Sequence, residues 1–266
     1  MSYTIAILAA QRTGIVNPIA EAYGVSHKCL APICGKPLIS YVIEAAAASR
    51  ASLVRIAIEE DGEAGVAPLL GPLRDKGIPV EFIRSAPTLT DSVHACADGI
   101  DGPMILTTAD NVNLSVAAIE QAAAALAEGA EGIFSLASRE AVLAARCEVA
   151  GPHTANVGPY KFRDGRFSNC NLYAFSGPGA VAAAQAFREG GQFSKQRGRL
   201  IRAVGLFNVG LYLAGFMTLA GAAKRLSKRF GLKIVPVVFA DGAPAIDVDN
   251  ERTYKISEQI LLRSMA

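Results

Sequence analysis

No two cysteines of this chain form a CxxC pair. The five, Cys29, Cys34, Cys96, Cys147 and Cys170, are odd in number and widely spaced. That argues against a disulfide framework and a cysteine zinc site, and it fits a reducing compartment. His27, His94 and His153 show no metal-ligand spacing, and no Ser-His-Asp or Cys-His arrangement stands out, so zinc chemistry and a nucleophilic triad have no footing. A charge excess is missing too. Lys and Arg number 26 against 24 Asp and Glu, a balance that excludes nucleic acid as the main partner and leaves any basic patch local. There is no long polar tract, internal repeat or low-complexity linker, which argues against disorder and repeat architectures. The opening MSYTIAILAAQR lacks the basic n-region and long apolar h-region of a secretory signal and reads as a core strand, so a cytoplasmic location is expected.

What the chain does have is apolar mass: 51% of its 266 residues are hydrophobic, enough for a sizeable core. Tyr3 to Ala10 is a short β-prone run that suits a buried parallel strand. Pro37 to Ser49 has helical spacing, and Leu53 to Ile58 is a second strand, so the opening third alternates as a parallel sheet does. Further strands are predicted at Val80 to Ile83, Met104 to Thr107 and Gly132 to Leu136. Helices are predicted at Asp91 to Ala97, Ser115 to Ala127 and Arg139 to Cys147. From Thr154 to Phe175 the pattern becomes a hairpin turning at Asp164-Gly165. An Ala-rich helix (Gly179 to Glu189), a basic loop (Gln192 to Arg202), a strand near Leu232 to Phe239 and a helix from Asn250 to Met265 complete one mixed α/β domain spanning 1–266.

After the first strand comes LAAQRTG, and from His27 to Ala45 stands HKCLAPICGKPLISYVIEA. These segments resemble the MobA-like and sugar-nucleotide-type nucleotidyltransferases, whose signature is a strand, LAAG, a Gly-rich turn with an Arg, and then K-x-L-x-P-x-x-G-K-P-L-I. The resemblance implies a Rossmann-like (GT-A-like) fold: a mixed, mainly parallel sheet flanked by helices, here with an added antiparallel hairpin. A triphosphate needs backbone N–H groups and cations around it while its α-phosphorus is attacked. By the resemblance Leu8, Ala9, Ala10 and Gln11 line the nucleotide, and Lys28 matches the signature lysine that neutralises charge in the transition state. Gln11 replaces the usual glycine and Ile15 the usual arginine, so Arg12 is the candidate replacement cation.

MILTTADNVNLS is an apolar strand ending at Asp110, with Asn111-Val112-Asn113 in place of the common Ala/Val-Pro. In the family the strand-end Asp holds catalytic magnesium, and a carboxylate at the carboxyl edge of a sheet suits that hard cation. AIDVDNERTYKISEQIL resembles the closing DVDTPEDL motif, which places the second Mg2+ ligand on Asp249 and leaves Asp247 in reserve. Either aspartate could instead cap the helix that follows it. Thr90 and Ser92 fall where the family recognises the base, although Thr90-Asp91-Ser92 is also a good helix cap. Asn169 and Asn171 resemble the strand lining the acceptor pocket, and hairpin alternation explains them equally well.

Ala203 to Ala223 carries no charge over 21 positions, and basic segments flank it, as in a segment that touches an anionic membrane. Its glycines and Asn208 interrupt it, and burial as a helix pair or a lid is favoured over peripheral membrane contact. Lys195, Arg197, Arg199 and Arg202 are candidates for an acceptor phosphate, with a solvated loop as the alternative.

The implied reaction is in-line attack by an acceptor phosphate oxygen on the α-phosphorus of a nucleoside triphosphate, with pyrophosphate leaving. It requires positioning and charge neutralisation rather than a protein nucleophile. CTP is favoured as donor, with GTP and UTP open; the acceptor is a phosphorylated sugar, polyol or lipid headgroup, and a homodimer is left open. The competing reading is a catalytically impaired nucleotide-binding regulatory module, prompted by Gln11 and Ile15. A dinucleotide-dependent oxidoreductase falls behind, because no G-x-G-x-x-G follows the first strand.

Overall fold

The structure is a computed structural model, and it describes residues 1–11, 17–150, 157–183 and 205–265. In chain order, β1 (Tyr3–Leu8) is followed by α1 (Pro18–Ala22), a 3-10 turn at Lys28–Leu30, the short ribbon β2 (Pro32–Ile33) and β3 (Lys36–Pro37), and α2 (Leu38–Ala47). Next come β4 (Ala51–Ile58), α3 (Glu60–Val66), α4 (Gly71–Asp75), β5 (Val80–Arg84), α5 (Leu89–Ala97), β6 (Met104–Thr108), α6 (Val116–Ala127), β7 (Gly132–Ser138) and α7 (Arg139–Ala150). The later part holds β8 (Tyr160–Phe162), β9 (Gly165–Phe175), α8 (Pro178–Ala183), α9 (Leu206–Leu213), α10 (Leu219–Phe230), β10 (Ile234–Phe239) and α11 (Glu251–Met265).

The main sheet has the order β10-β7-β9-β6-β1-β4-β5, with β8 paired to β9. β1 runs parallel to β4 and β6, β5 to β4, and β10 to β7; β9 runs antiparallel to β6, β7 and β8. The predicted hairpin therefore does not merely extend an edge: its long arm is driven between β6 and β7. The carboxyl ends of β1, β6 and β7 meet the amino end of β9 at one sheet edge, the edge where open α/β sheets bind ligands.

Side-chain alternation builds a layer on each face. Tyr3, Ile5 and Ile7 of β1 join Val54, Ile56 and Ile58 of β4 under α2 and α6, whose small residues such as Ala46, Ala122 and Ala123 allow close packing. On the opposite face Ala6 and Ala57 leave room for Val93 and Cys96 of α5. Ser115 caps α6 by accepting from the Ala118 amide at 3.2 Å. α5 starts two residues before its predicted position, because Thr88 rather than Thr90 provides the cap, accepting from the Asp91 amide at 3.1 Å. The Ala-rich helix is described as far as Ala183; the rest of it and the basic loop 192–202 lie outside the described residues.

The apolar stretch becomes α9, an exposed turn and the start of α10, with Val209, Met217, Leu219 and Ala223 buried. It is thus partly core, as expected of a helix pair. No helix among the described residues is long and apolar enough to cross a membrane.

Candidate active site at the carboxyl edge of the sheet

Three loops converge beyond the ends of β1 and β6. The Ala109 amide donates to Leu8 O at 2.9 Å and the Ala9 amide to Ala57 O at 2.9 Å, locking the end of β1 between β6 and β4. Asn111 and Asn113, both buried, then stitch the loop after β6 to its surroundings. Asn111 Nδ2 donates to Cys170 O of β9 at 2.9 Å, and Asn113 Nδ2 donates to Ile246 O at 3.0 Å and to Ser257 Oγ at 3.1 Å. The Val248 amide donates to Asp110 O at 3.2 Å. The segment around Asp247 is thereby held against the end of β6.

Lys28, on the 3-10 turn, donates through Nζ to Asp110 Oδ2 and, at 3.3 Å, to Asp249 Oδ1. These groups are 82 and 221 positions apart in sequence. The Lys28 and Asp110 side chains are 16% and 18% exposed and that of Asp249 is 70% exposed, so Asp110 forms the tighter pair. Burial works against charge on Lys28, but the two carboxylates outweigh it and raise its pKa above the ordinary lysine value. Lys28 is fully cationic at neutral pH.

Asp247 is the more sheltered member of the DVD pair. Burial first, and then repulsion from Asp110 and Asp249, pushes its carboxyl well above the usual carboxylate range, with Lys28 opposing. Asn171 Nδ2 donates to its Oδ2 at 2.5 Å. Asn171 reaches it from a bulge: β9 pairs Tyr173 with Phe134 and Asn169 with Leu136, leaving three residues of β9 opposite Ser135. Asn171 takes a left-handed φ of 46° there, a conformation asparagine tolerates better than most residues. Asn169 Nδ2 donates to Asn171 Oδ1 and to Tyr173 Oη, both at 2.6 Å.

The turn after β1 faces a carboxylate of the protein itself. The Gln11 amide donates to Glu59 at 3.0 and 3.3 Å, and Gln11 Nε2 donates to Ser26 O at 2.6 Å. Glu59 also lies 3.3 Å from Nε2 of His27, a residue only 2% exposed. Next to Lys28, the Cys29 thiol is buried and its pKa is pushed up to about 12, chiefly by desolvation, which removes it as a nucleophile at neutral pH.

The structure thus brings Lys28, Asp110 and Asp249 together, with Asp247, held by Asn171, close enough to feel all three charges. Ser92 is engaged elsewhere, its Oγ accepting from the Ala86 amide at 2.9 Å, and Thr90 is buried in the same first turn of α5. Arg12, Lys195, Arg197, Arg199 and Arg202 lie outside the described residues. The sequence reading missed the stitching roles of Asn111 and Asn113 and the Gln11–Glu59 contact. The two asparagines had a signal, being polar residues around Val112 at the end of an apolar strand; Glu59 had none.

Solved nucleotidyltransferases share this fold. A hypothetical transferase from Thermus thermophilus superimposes with a TM-score of 0.70 at 22% identity, over 96% of this chain and 100% of that one. The 4-diphosphocytidyl-2C-methyl-D-erythritol synthase of Anaerococcus prevotii gives 0.59 at 11% identity, over 98% and 99%. A CMP:2-keto-3-deoxy-manno-octonic acid synthetase complexed with CTP gives 0.55 at 12% identity, over 99% of both chains. No family model matches the chain, and no curated protein does.

Proposed function

We propose that this chain is a nucleotidyltransferase that moves a nucleoside monophosphate from a nucleoside triphosphate to a phosphorylated small molecule and releases pyrophosphate. The observation that carries this reading is the meeting of Lys28 with Asp110 and Asp249 at the carboxyl edge of a sheet whose fold nucleotidyltransferases share. A fixed cation beside acidic groups suits a reaction in which phosphate charge is handled by positioned electrostatics.

The residues present fit a hard divalent cation. Asp110 Oδ1 and Asp247 Oδ1 are buried and have no hydrogen-bond partner, and carboxylate oxygens are what magnesium prefers. Among the described residues no three His, Cys, Asp or Glu are grouped as a preformed metal centre, consistent with Lys28 standing between Asp110 and Asp249. Asp110 would hold the ion together with Asp247 or Asp249. When bound, Mg2+ supplies charge neutralisation at the phosphates. Lys28 holds phosphate oxygens and orients them, and Asn171 fixes the Asp247 carboxyl. Asn169 and Asn171 are the residues we assign to the acceptor. CTP is the donor to try first, because the synthetase of the same fold is complexed with CTP and the erythritol synthase is named for a diphosphocytidyl product.

A second reading, a nucleotide-binding regulatory module without turnover, draws on Gln11, whose amide is already committed to Glu59. Binding of each ribonucleoside triphosphate, with and without Mg2+, tests the shared premise. The transferase reading expects Mg2+-dependent binding that Asp110→Asn weakens at least tenfold. Binding indifferent to Mg2+ and to Asp110→Asn would favour the module.

A further inference from the structure

The turn between α9 and α10 exposes four consecutive residues, Leu213, Ala214, Gly215 and Phe216. Leu213 is 60% exposed and Phe216 is 70% exposed, unusual values for two large apolar side chains in one four-residue hairpin tip. The tip is firmly built. Asn208 of α9 accepts from Arg225 of α10 at 2.9 Å, so the two helices run back to back. The Lys161 amide donates to Tyr212 Oη at 3.0 Å, the Arg163 amide donates to Met217 O at 2.8 Å, and Asp164 accepts from the Leu219 amide at 2.9 Å. Tyr212 also packs edge-on to Phe162 at 5.4 Å. A strand hairpin and a helix hairpin therefore clamp the tip in place, and the exposure is a property of a fixed surface.

The charge around the tip is predominantly basic. Lys161 and Arg163 are exposed beside it, Lys224 and Arg225 are exposed on the second turn of α10, and Lys228 and Arg229 continue the basic face into its last turn. The nearby acid Asp164 is occupied in capping α10. From Gly190 to Ala240 the sequence has nine Lys and Arg and no Asp or Glu, so a chain of net charge +2 carries +9 in that stretch and −7 in the rest. Two apolar side chains on a basic surface match an anionic bilayer: the rings and methyls enter the acyl boundary and the cations meet the headgroups.

We infer that the Leu213–Phe216 tip, with Lys161 and Arg163, docks this protein peripherally on an anionic lipid surface. The tip lies on the side of the molecule that holds the candidate site. β9 begins at the carboxyl end of β7, where Phe167 pairs with Ser138, and β8 and the tip extend from there. Docking brings the carboxyl edge of the sheet towards the headgroup layer. The inference does not depend on the reaction the site performs.

The test is co-sedimentation of the full chain with vesicles of phosphatidylcholine alone and of phosphatidylcholine with phosphatidylglycerol. Binding is expected only to the anionic vesicles and is expected to weaken as salt is added. Leu213→Ser and Phe216→Ser are each expected to lower the partition constant about tenfold, the loss of one buried large side chain. Lys161→Gln with Arg163→Gln is expected to lower it to a similar degree. Because these side chains are exposed, unchanged thermal melting checks that the variants fold. Absence of binding to anionic vesicles overturns the inference, as does binding that the serine variants leave intact. Self-association in solution that the serine variants abolish, without vesicle binding, would also overturn it in favour of a second copy of the chain.

Discussion

The side-chain amide of Asn171 donates to the carboxyl of Asp247 at 2.5 Å across 76 positions of sequence. This bond joins the bulged strand in the middle of the sheet to the loop that carries the DVD motif, and it holds a carboxyl that is already disfavoured as an anion.

Asp247 makes stability depend on pH. The folded protein keeps on Asp247 a proton that the unfolded chain releases above the ordinary carboxylate range. The stability it contributes is therefore fully present below that range and is lost as pH rises through the raised value. Asp247→Asn, neutral at every pH, is expected to flatten this slope and to melt a few degrees above wild type near neutrality. Melting curves against pH check it, and an unchanged slope would contradict the buried-carboxyl assignment.

Magnesium is expected to stabilise the wild type, because an ion that binds the folded site and not the unfolded chain adds its binding free energy to stability. The shift is expected to vanish in Asp110→Asn. Melting temperature with and without MgCl2 is the readout, and it requires no substrate.

Lys28→Met is expected to cut turnover by about 10²-fold or more, the scale set by removal of one preorganised charge-stabilising group. It also leaves Asp110 without its partner. Pyrophosphate release gives the first effect and thermal melting the second.

Gly242 lies against the start of α7. A Cβ there would come within 2.3 Å of the Ala141 backbone, which cannot yield as a side chain can. Gly242→Ala is expected to cost about 1–3 kcal/mol or more, the range for overpacking, and to disturb the Asp247 loop. Denaturant unfolding measures it.

Away from the site, Glu120 ties β1 to the turn before β4. It accepts from Tyr3 Oη at 2.6 Å and from Arg50 Nε at 2.7 Å. Its carboxyl is lowered to about 2, chiefly by the Arg50 hydrogen bonds. The stability it gives is present above the ordinary glutamate range and is lost as pH falls towards about 2. Glu120→Gln is expected to cost about 1 kcal/mol at neutral pH, the scale of a half-exposed pair, and nothing in strong acid.

Much of this fold was legible because its periods are strong. The apolar β-prone runs of β1 and β4 and the Ala-rich spacing of α2 and α6 each specify their element locally, whereas the hairpin turn predicted at Asp164-Gly165 falls one residue earlier, at Arg163-Asp164, because Gly165 already pairs with Phe162. The K-x-L-x-P-x-x-G-K-P-L-I segment and the strand-end Asp110 likewise pointed to one edge. The position of β9 between β6 and β7 was not legible, since strand order depends on which faces can pack and not on a local period. The Asn171 bulge was hidden for the same reason, as an extra residue becomes a bulge only against a partner strand. Asp247 and Asp249 could be nominated together from DVD, but their unequal burial follows from the Val248–Asp110 bond, which no spacing announces.

The most direct measurement of the central claim is acceptor-dependent pyrophosphate release. The purified chain, with magnesium and each of the four ribonucleoside triphosphates, is set against sugar, polyol and lipid-headgroup phosphates. The account predicts release with one nucleotide, dependent on one acceptor class and abolished by Asp110→Asn. Silence across the panel, with nucleotide binding that Asp110→Asn leaves unchanged, would contradict it.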